Sequence, residues 1–367
     1  MDKIKRIHLT AQLLLAICLF HSTQYAESNE TQLHFDFEYI GKAVQKRGTH
    51  VWGTSPVIGP DGRVHLYVAE WPIPRDPSVR FSGWYKESQI AHYVGDNPEG
   101  PFEFLRIAVP DLDGKFNAPH NPTVQHIDGK YVLSFIVNEI DDTSTQRIVM
   151  FVADDLNDTW VPIADGEPDG TALRLPDDPS IWSHASCRGI TNPSLVKHDG
   201  RYLLFFKGVL CDSEQPSLFK LWHFGYGVAS AKQLEGPYQY HPDRITPEEL
   251  QLEDVAAFSL KDKVYMLSRD IRGTLGSEEG GIIWTSDDGM KFDKANTKRS
   301  FDTLASYLEE GALDGAAVYR GTTHGQLERP QLLFIDGTPR YMYVATGIND
   351  EAGYGSCSHV FKVKIIE

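Results

Sequence analysis

Short apolar runs recur along this chain in one repeated arrangement. In each copy an apolar run is followed by a turn built on aspartate and then by a second run rich in aromatic and β-branched residues. Short runs of this composition, bounded by turn residues, are typical of β-strands. The five copies are SPVIGPDGRVHLYV from Ser55, NPTVQHIDGKYVLSFI from Asn121, NPSLVKHDGRYLLFFK from Asn192, EDVAAFSLKDKVYMLS from Glu253 and ERPQLLFIDGTPRYMYV from Glu328.

Each copy predicts one four-stranded antiparallel sheet. Asp-Gly pairs, which are strong hairpin signals, join the two runs in four copies, and Asp262 marks this turn in the copy from Glu253. A third strand-like run follows, and then a turn phrase such as NPEGPFEF or LEGPYQY. The copies begin roughly 60 to 75 residues apart, which suits one blade with long loops. We therefore expect an all-β, five-bladed β-propeller, with a β-sandwich as the alternative.

The two ends of the chain are expected to complete the ring. The last copy ends at the run HVFKVKII with no fourth strand after it, and the segment LHFDFEYIG near the N-terminus is a candidate for that strand. Helical periodicity is weak; residues 300–313, SFDTLASYLEEGAL, are the main helix candidate, and TPEELQLED is expected to hold one helical turn. We expect residues 27–367 to form a single catalytic domain.

The first 26 residues resemble an export signal. A basic start, KIKR, precedes an apolar stretch from Leu9 to Phe20 that is too short to span a bilayer. We expect cleavage near Ala26 and a secreted or periplasmic protein, with a disordered tail as the alternative.

Charge and cysteine usage narrow the function classes. The net charge of −16 argues against a nucleic-acid partner, which needs a basic face, and no other segment reaches transmembrane length. No CxxC or HExxH spacing occurs, so a zinc site is not expected. Among the four cysteines, Cys187 and Cys211 are candidates for a disulfide in an oxidising compartment, which would leave Cys357 over.

Candidate site residues follow from the architecture. The first strand of each propeller blade lines the central channel, so residues at its start converge on one pocket. The five resulting clusters are Trp52 with Ser55, His120 with Asn121, Arg188 with Asn192, Glu253 with Asp254, and Glu328 with Arg329. The ends of the second strands predict an outer ring of Glu70, Lys207, Arg269 and Asp270, and the loop WSHASCRG adds His184. Structural alternatives exist, since Asn before Pro often caps a turn and Glu328 with Arg329 can form an ion pair.

The repeated phrases resemble those of glycoside hydrolase family 43 and its five-bladed relatives. The resemblance rests on HNPTVQHIDGKYVLSF, TNPSLVKHDGRYLLFFKG, LEDVAAFSLKDKVYML, LERPQLLFIDG and HYVGDNPEGPF. It implies three carboxyl groups: an Asp as general base, a second Asp that tunes the pKa, and a Glu as general acid. By motif these positions fall on Ser55, Asn192 and Glu253, so only the acid is kept.

Three functions therefore stay open. The first is a glycoside hydrolase cleaving terminal sugars of an oligosaccharide or polysaccharide, with its base recruited from Asp254, Glu328 or Asp270. The second is a lyase or oligosaccharide dehydratase that acts on uronic acids by β-elimination, with His120, His184 or Lys207 as base and Glu253 as acid. The third is a non-catalytic glycan-binding propeller. No cofactor is expected; some relatives hold a structural cation in the channel, although no motif here indicates one.

Two sets of residues carry these hypotheses. The candidate catalytic residues are Glu253, Asp254, His120 and Glu328. The candidate substrate-binding residues are Trp52, Ser55, Asn121, His184, Arg188, Asn192, Lys207, Arg269 and Arg329.

Overall fold

A computed structural model of the chain describes residues 33–76, 81–109, 117–139, 141–163, 168–215, 218, 222–273, 275, 280–320 and 323–366. In chain order the strands are β1 (His34–Val44), β2 (Thr49–Ile58), β3 (Val64–Pro72), β4 (Gln89–Gly95), β5 (Glu103–Ile107), β6 (Asn117–Ile127), β7 (Lys130–Glu139), β8 (Asp142–Ala153), β9 (Val161–Pro162), β10 (Thr171–Leu173), β11 (Thr191–His198), β12 (Arg201–Leu210), β13 (His223–Ala231), β14 (Gln239–Tyr240), β15 (Leu252–Leu260), β16 (Lys263–Asp270), β17 (Gly281–Ser286), β18 (Thr297–Arg299), β19 (Ala317–Val318), β20 (Glu328–Ile335), β21 (Thr338–Thr346), β22 (Ile348–Asn349) and β23 (Cys357–Ile366). Within the described residues, the helical segments are α1 (Trp84–Glu87) and three 3₁₀ turns at Trp182–Ala185, Lys294–Asn296 and Leu304–Tyr307.

Five antiparallel sheets form the blades of a propeller. Their strand orders are β2-β3-β4-β5, β6-β7-β8 with β9 and β10 both pairing to β8, β11-β12-β13-β14, β15-β16-β17-β18, and β20-β21-β23-β1. The first strands of neighbouring blades contact one another around the whole ring, since β2 contacts β6 and β20, β11 contacts β6 and β15, and β15 contacts β20. The predicted all-β, five-bladed propeller is confirmed, and the β-sandwich alternative is wrong.

The N-terminal strand closes the ring. β1 pairs antiparallel with β23, with Phe37 opposite Val363 and Tyr39 opposite Phe361. The segment LHFDFEYIG thus supplies the outer strand of the fifth blade, as its pattern predicts. Closure of this kind leaves only short strand edges exposed, which protects an all-β protein from edge-to-edge association.

Apolar side chains fill the space between adjacent blades. Between the first two blades, for example, Tyr67 and Ile90 pack in one cluster with Leu133 and Phe135, all of them almost completely buried. Burying one such side chain contributes roughly 1.5–3 kcal/mol, so each interface between blades is a substantial source of stability. The blades therefore hold the first strands, and the residues at their start, in fixed positions.

The two helix predictions are wrong. Residues 300–313 contain only the 3₁₀ turn Leu304–Tyr307, followed by turns with a left-handed Gly311. TPEELQLED holds no helical turn, and its last residues belong to β15. Isolated helices shorter than about 12 residues are marginal in water, and little of the first segment is buried to support one.

The cysteine prediction is confirmed. Cys187 and Cys211 form a disulfide, and Cys357 is a buried free thiol. The predicted export signal, residues 1–26, lies outside the described residues. Within the described residues, no helix is both long enough and apolar enough to cross a membrane.

Candidate active site

A backbone bulge marks the start of every first strand. At this point one residue per blade has a positive φ of 50° to 60°, and the pairing with the second strand skips two residues. The five residues, which we call the bulge ring, are Gly53, Asn121, Asn192, Asp254 and Arg329. Glycine, asparagine and aspartate tolerate this left-handed conformation best. The buried arginine is the exception in the ring.

This register corrects the alignment of the first copy by two residues. In the first blade Ser55 lies opposite Tyr67, and in the third blade Ser194 lies opposite Phe205. Both pairs come directly after the bulge, so Ser55 and Ser194 occupy equivalent positions. The residue of the first blade that matches the asparagines of the next two blades is therefore Gly53, and not Ser55. Ser-Pro resembles Asn-Pro in the sequence, yet it lies two residues further along the strand. The first blade thus has no side chain at the position where the resemblance implies a base.

Ser55 accordingly lies outside the pocket where it was predicted. Its hydroxyl accepts a hydrogen bond from the backbone N–H of Val124 at 2.9 Å. It lines a second cavity, on the other side of the bulge ring, together with Thr123, Ser194 and Gln331. Ser55 is buried and supports the channel wall.

Hydrogen bonds connect the side chains of the bulge ring. Asn121 Nδ2 donates to Asn192 Oδ1 and Asn192 Nδ2 donates to Asp254 Oδ1, both at 2.9 Å. The Arg329 backbone N–H donates to Asp254 Oδ2 at 3.3 Å, and its Nη2 donates to the carbonyl of Asn121 at 3.2 Å. The guanidinium passes beside Gly53, where a Cβ would stand 3.7 Å from Nε. The ring therefore forms a closed polar layer across the channel.

The pocket lies above this layer. The residues that line it are Trp52, Trp71, Phe81, Trp84, His120, Asn121, Ile136, Gln146, Arg188, Thr191, Asn192, Lys207, Val209, Trp222, Phe224, Glu253, Asp254, Arg320 and Glu328. Nine of the thirteen candidate residues are among them. Arg269 and Arg329 lie directly behind the lining, whereas Ser55 and His184 do not line the pocket.

Two glutamates on one side of the pocket are held by cations. Glu253 Oε1 lies 2.5 Å from Lys207 Nζ, and its Oε2 lies 3.3 Å from Arg269 Nη1. The same Arg269 nitrogen is 3.0 Å from Glu328 Oε1, which also lies 3.2 Å from Arg320 Nε. Burial alone would raise the pKa of Glu253, but Lys207 and Arg269 outweigh it and lower that pKa to about 2. Glu253 is therefore a charged carboxylate.

Asp254 has the opposite protonation preference. Its side chain is only 5% exposed, and this burial together with the neighbouring charge of Glu253 raises its pKa to about 6. Arg329, whose Nη1 lies 3.9 Å from Oδ1, opposes the shift without cancelling it. Adjacent residues of one strand thus present a charged and a protonatable carboxyl group to the same pocket.

The two histidines are committed to local hydrogen bonds. His120 Nδ1 lies 2.7 Å from the carbonyl of Ala118 and so carries the proton, while Gln146 Nε2 donates to His120 Nε2 at 3.1 Å. Burial lowers the pKa of His120 to about 4. His184 Nδ1 lies 2.8 Å from the carbonyl of Pro176, away from the pocket lining. Neither ring is poised to remove a proton from a substrate.

Two of the four residues predicted at the ends of the second strands contact the glutamates of the pocket, and the other two do not. Lys207 and Arg269 contact the glutamates described above. Glu70 instead lies 2.7 Å from Lys46 and also bonds to Tyr93, while Asp270 accepts from the backbone of Leu275 at 3.0 Å. Glu70 and Asp270 are not pocket-lining residues, so Asp270 is not placed to serve as the base.

The pocket also contains residues that the sequence pattern missed. Phe81, Trp222 and Arg320 precede or follow regular strands, in segments with no periodicity. Arg320 lies over the rings of Trp52 and Phe81, at 5.5 and 5.0 Å from their centroids. A tryptophan or arginine in a loop gives no local sign that tertiary structure brings it to a site, so no repeat comparison could have found these three.

Three carboxyl groups of the pocket are close enough to suggest a metal site. One oxygen from each of Glu253, Asp254 and Glu328 lies within 4.8 Å of the others. Both glutamates already contact cationic side chains, Lys207 and Arg269 among them. A divalent cation would meet these positive charges at close range, so the donor set fits proton transfer better than metal binding.

The fold matches solved enzymes. No family model and no curated protein matches the chain. Zg3597, a family 117 glycoside hydrolase of the marine bacterium Zobellia galactanivorans, superposes with a TM-score of 0.57 at 16% identity, covering 92% of each chain. CoXyl43, a family 43 β-xylosidase/α-arabinofuranosidase from a compost metagenome, gives 0.55 at 12% identity, covering 90% of this chain and 94% of that one.

A family 43 enzyme from Xanthomonas citri superposes with a TM-score of 0.52 at 11% identity, covering 88% and 90%. The chain shares the fold of these enzymes. At such identities the likeness extends to architecture alone, so the function rests on the pocket.

Proposed function

We propose that this protein is an exported glycoside hydrolase that removes a terminal sugar from an oligosaccharide. The observation that carries the proposal is the pair of adjacent carboxyl groups whose pKa values are pushed apart, to about 2 for Glu253 and to about 6 for Asp254. Glycosidic cleavage needs one carboxylic acid to protonate the leaving oxygen and one carboxylate to act on the sugar. Environments that push two pKa values apart indicate which group takes which role. The shared fold with glycoside hydrolases supports the same conclusion.

Asp254 takes the role of general acid in this proposal. It keeps its proton up to about pH 6, so it can donate that proton to the departing oxygen. Glu253 is the carboxylate that acts at the sugar, because its side chain is 15% exposed whereas that of Glu328 is only 3% exposed. Glu328 holds Arg269 and Arg320 in place beside it.

The separation of the carboxyl groups favours a retaining reaction. One oxygen of Glu253 lies within 4.8 Å of one oxygen of Asp254. Retaining enzymes place the two groups about 5–5.5 Å apart, whereas inverting enzymes need about 6.5–9.5 Å to admit a water. We therefore infer that Glu253 forms a glycosyl-enzyme bond, which water then breaks with the Asp254 carboxylate accepting its proton.

The shape of the pocket favours a terminal sugar. Its cavity of about 170 Å³ is small beside the roughly 300–1,000 Å³ of pockets that bury drug-sized ligands. Trp52 and Trp84 line it, and tryptophan is a side chain on which the apolar face of a sugar can pack. The disulfide between Cys187 and Cys211 supports export, because such bonds persist in oxidising compartments.

β-Elimination on a uronic acid is the second candidate. The cationic groups around the pocket favour it, since elimination requires a neutralised carboxylate. It also needs a base for the C5 proton. Lys207 is bound to Glu253, and both nitrogens of His120 are engaged. Hydrolysis therefore accounts for more of the site.

A product assay separates the candidates. The full chain is incubated with neutral and uronate-containing oligosaccharides, while reducing ends and the ultraviolet absorbance of unsaturated uronate are followed. We expect new reducing ends without that absorbance, and their loss in Asp254→Asn. A rise in absorbance would replace hydrolysis by elimination. Saturable binding of a glycan with neither product would make the protein a binding propeller.

A further inference from the structure

The pocket is cationic although the protein is strongly acidic. The net charge of the chain is −16. Among the described residues, three cationic side chains line the pocket and two more lie directly behind the lining. Three carboxyl groups line the same pocket, and one of them, Asp254, has a raised pKa. The cations are Arg188, Lys207 and Arg320 in the lining, and Arg269 and Arg329 behind it. A local excess of positive charge in a chain of this composition points to an anionic ligand.

Arg188 differs from the other four cations. Lys207, Arg269, Arg320 and Arg329 each have a carboxylate within 4.0 Å, whereas no described carboxylate lies that close to Arg188. Its guanidinium instead lies between two rings, 5.9 Å from the centroid of Trp84 and 5.2 Å from that of Trp222. Stacking uses the faces of a guanidinium and leaves its edge of N–H donors directed elsewhere. That edge is suited to a planar or tetrahedral anion.

The backbone on both sides of Arg188 is fixed. Cys187 is held by its disulfide to Cys211 and by a 2.9 Å hydrogen bond from its N–H to a backbone carbonyl. Gly189 has a φ of 63°, and a Cβ there would stand 2.1 Å from the carbonyl oxygen of Gln146. The position therefore requires glycine, and the arginine is presented from a rigid segment. A group held in its binding geometry before the ligand arrives loses little entropy on binding.

We propose that the sugar bound in this pocket carries an anionic group, a carboxylate or a sulfate ester, and that Arg188 binds this group between Trp84 and Trp222. The proposal deepens the proposed function, since it names the substrate class of the same pocket. A neutral sugar would cover the guanidinium while giving it no counter-charge, which is costly in a partly dry site. An anionic sugar supplies the missing partner through charge-assisted hydrogen bonds.

The test measures binding, which requires no turnover. Isothermal titration of the full chain with glucuronate, galacturonate, galactose 6-sulfate, glucose and galactose compares charged and neutral sugars of similar shape. We expect at least one anionic sugar to bind at least tenfold more tightly than its neutral counterpart. Its affinity should fall as salt is raised, because the contact is ionic. Comparing the two uronates with galactose 6-sulfate shows whether the site prefers a carboxylate or a sulfate ester.

Two variants and a control address Arg188 itself. Arg188→Gln should abolish the preference for the anionic sugar, and Arg188→Lys should retain part of it because the charge remains without the planar fork. Arg63→Gln is the control, since it removes one positive charge at an exposed position where Arg63 pairs with Asp96. This variant should prefer the anionic sugar as strongly as the wild-type protein does. Thermal melting of each variant establishes that it is folded. The salt dependence of binding is measured on the wild-type protein, so that part of the test does not depend on a variant folding.

Several outcomes overturn the proposal. They are equal affinity for charged and neutral sugars, no detectable binding of any anionic sugar, or an unchanged preference in folded Arg188→Gln. Failure of the proposed function looks different, since anionic sugars would then bind with the expected preference while no oligosaccharide is cleaved.

Discussion

The bulge ring has a neutral half and a charged half. In the first three blades its residues are Gly53, Asn121 and Asn192, which carry no charge, whereas the last two blades contribute Asp254 and Arg329. The backbone geometry is the same in all five blades, so the fold does not dictate this difference. Chemistry is therefore concentrated on one side of the pocket, where the two glutamates also lie. The neutral half supplies amide groups that orient the charged half through the chain of hydrogen bonds to Asp254.

The sharpest test compares one residue from each half. Asp254→Asn removes the proposed general acid, and we expect kcat/KM to fall about 100-fold or more, the usual contribution of general acid catalysis. Asn121→Ala in the neutral half removes a donor to Asn192 at a left-handed position, and in the folded variant we expect kcat/KM to fall by less than about tenfold, the equivalent of one ordinary hydrogen bond. Steady-state kinetics and melting curves measure both. Equal losses in two folded variants would end the distinction between the halves.

Stability should depend on the ion pair that joins Lys207 of the third blade to Glu253 of the fourth. Lys207→Met leaves Glu253 without its closest cation, and breaking a buried ion pair costs about 3–5 kcal/mol. Denaturant unfolding measures this change. The double variant Lys207→Met with Glu253→Gln should be less destabilised than the sum of the two single variants, because neither charge is then left alone. Strict additivity would mean that the two groups do not interact.

The fold could be predicted from the sequence because its signals are local. Three Asp-Gly turns have positive φ at both residues, at Asp128-Gly129, Asp199-Gly200 and Asp336-Gly337, which is the geometry that such pairs favour in two-residue hairpins. The pairing of the N-terminal strand with β23 followed from counting strands. These features depend on neighbouring residues and on the repeat, both of which are visible in the chain.

The site was only partly predictable because it depends on backbone register and on loops. Glu253 and Asn192 lie near the start of first strands and line the pocket, and the repeated motif is enough to place them there. Gly53 was missed because the Ser-Pro motif of Ser55 imitates the Asn-Pro motif, and only the bulge shows the offset of two residues. Trp222 reaches the pocket from a loop. The protonation of the site could not be predicted either, because it arises from burial and from contacts between different blades.

The pH dependence reports the charged half alone. Activity should decline as the pH rises through about 6, roughly tenfold per pH unit once Asp254 has lost its proton, and Asn121→Ala should keep this limb. Stability follows the same direction for this group. Its folded-state pKa is raised, so its contribution is complete below its ordinary value of 3.8 and is lost as the pH rises through about 6. A kcat/KM profile that stays flat from pH 5 to 8 would remove Asp254 from the role of acid.

The smallest expected effect comes from substituting Gly53, the one residue of the bulge ring without a side chain. Gly53→Ala should cost about 1–2 kcal/mol, the strain of a Cβ at its φ of 59°, because no atom stands closer than 3.5 Å to that Cβ. Gly62→Ala, with a φ of 76° and open space around it, measures the backbone strain alone. Gly53→Asp should cost less than Gly53→Ala, because aspartate tolerates this conformation and its carboxylate would lie beside the buried guanidinium of Arg329. If urea unfolding shows Gly53→Asp to be less stable than Gly53→Ala, the bulge ring cannot accept a charge in its neutral half. The packing around the ring would then be the reason why its charged residues lie only in the last two blades.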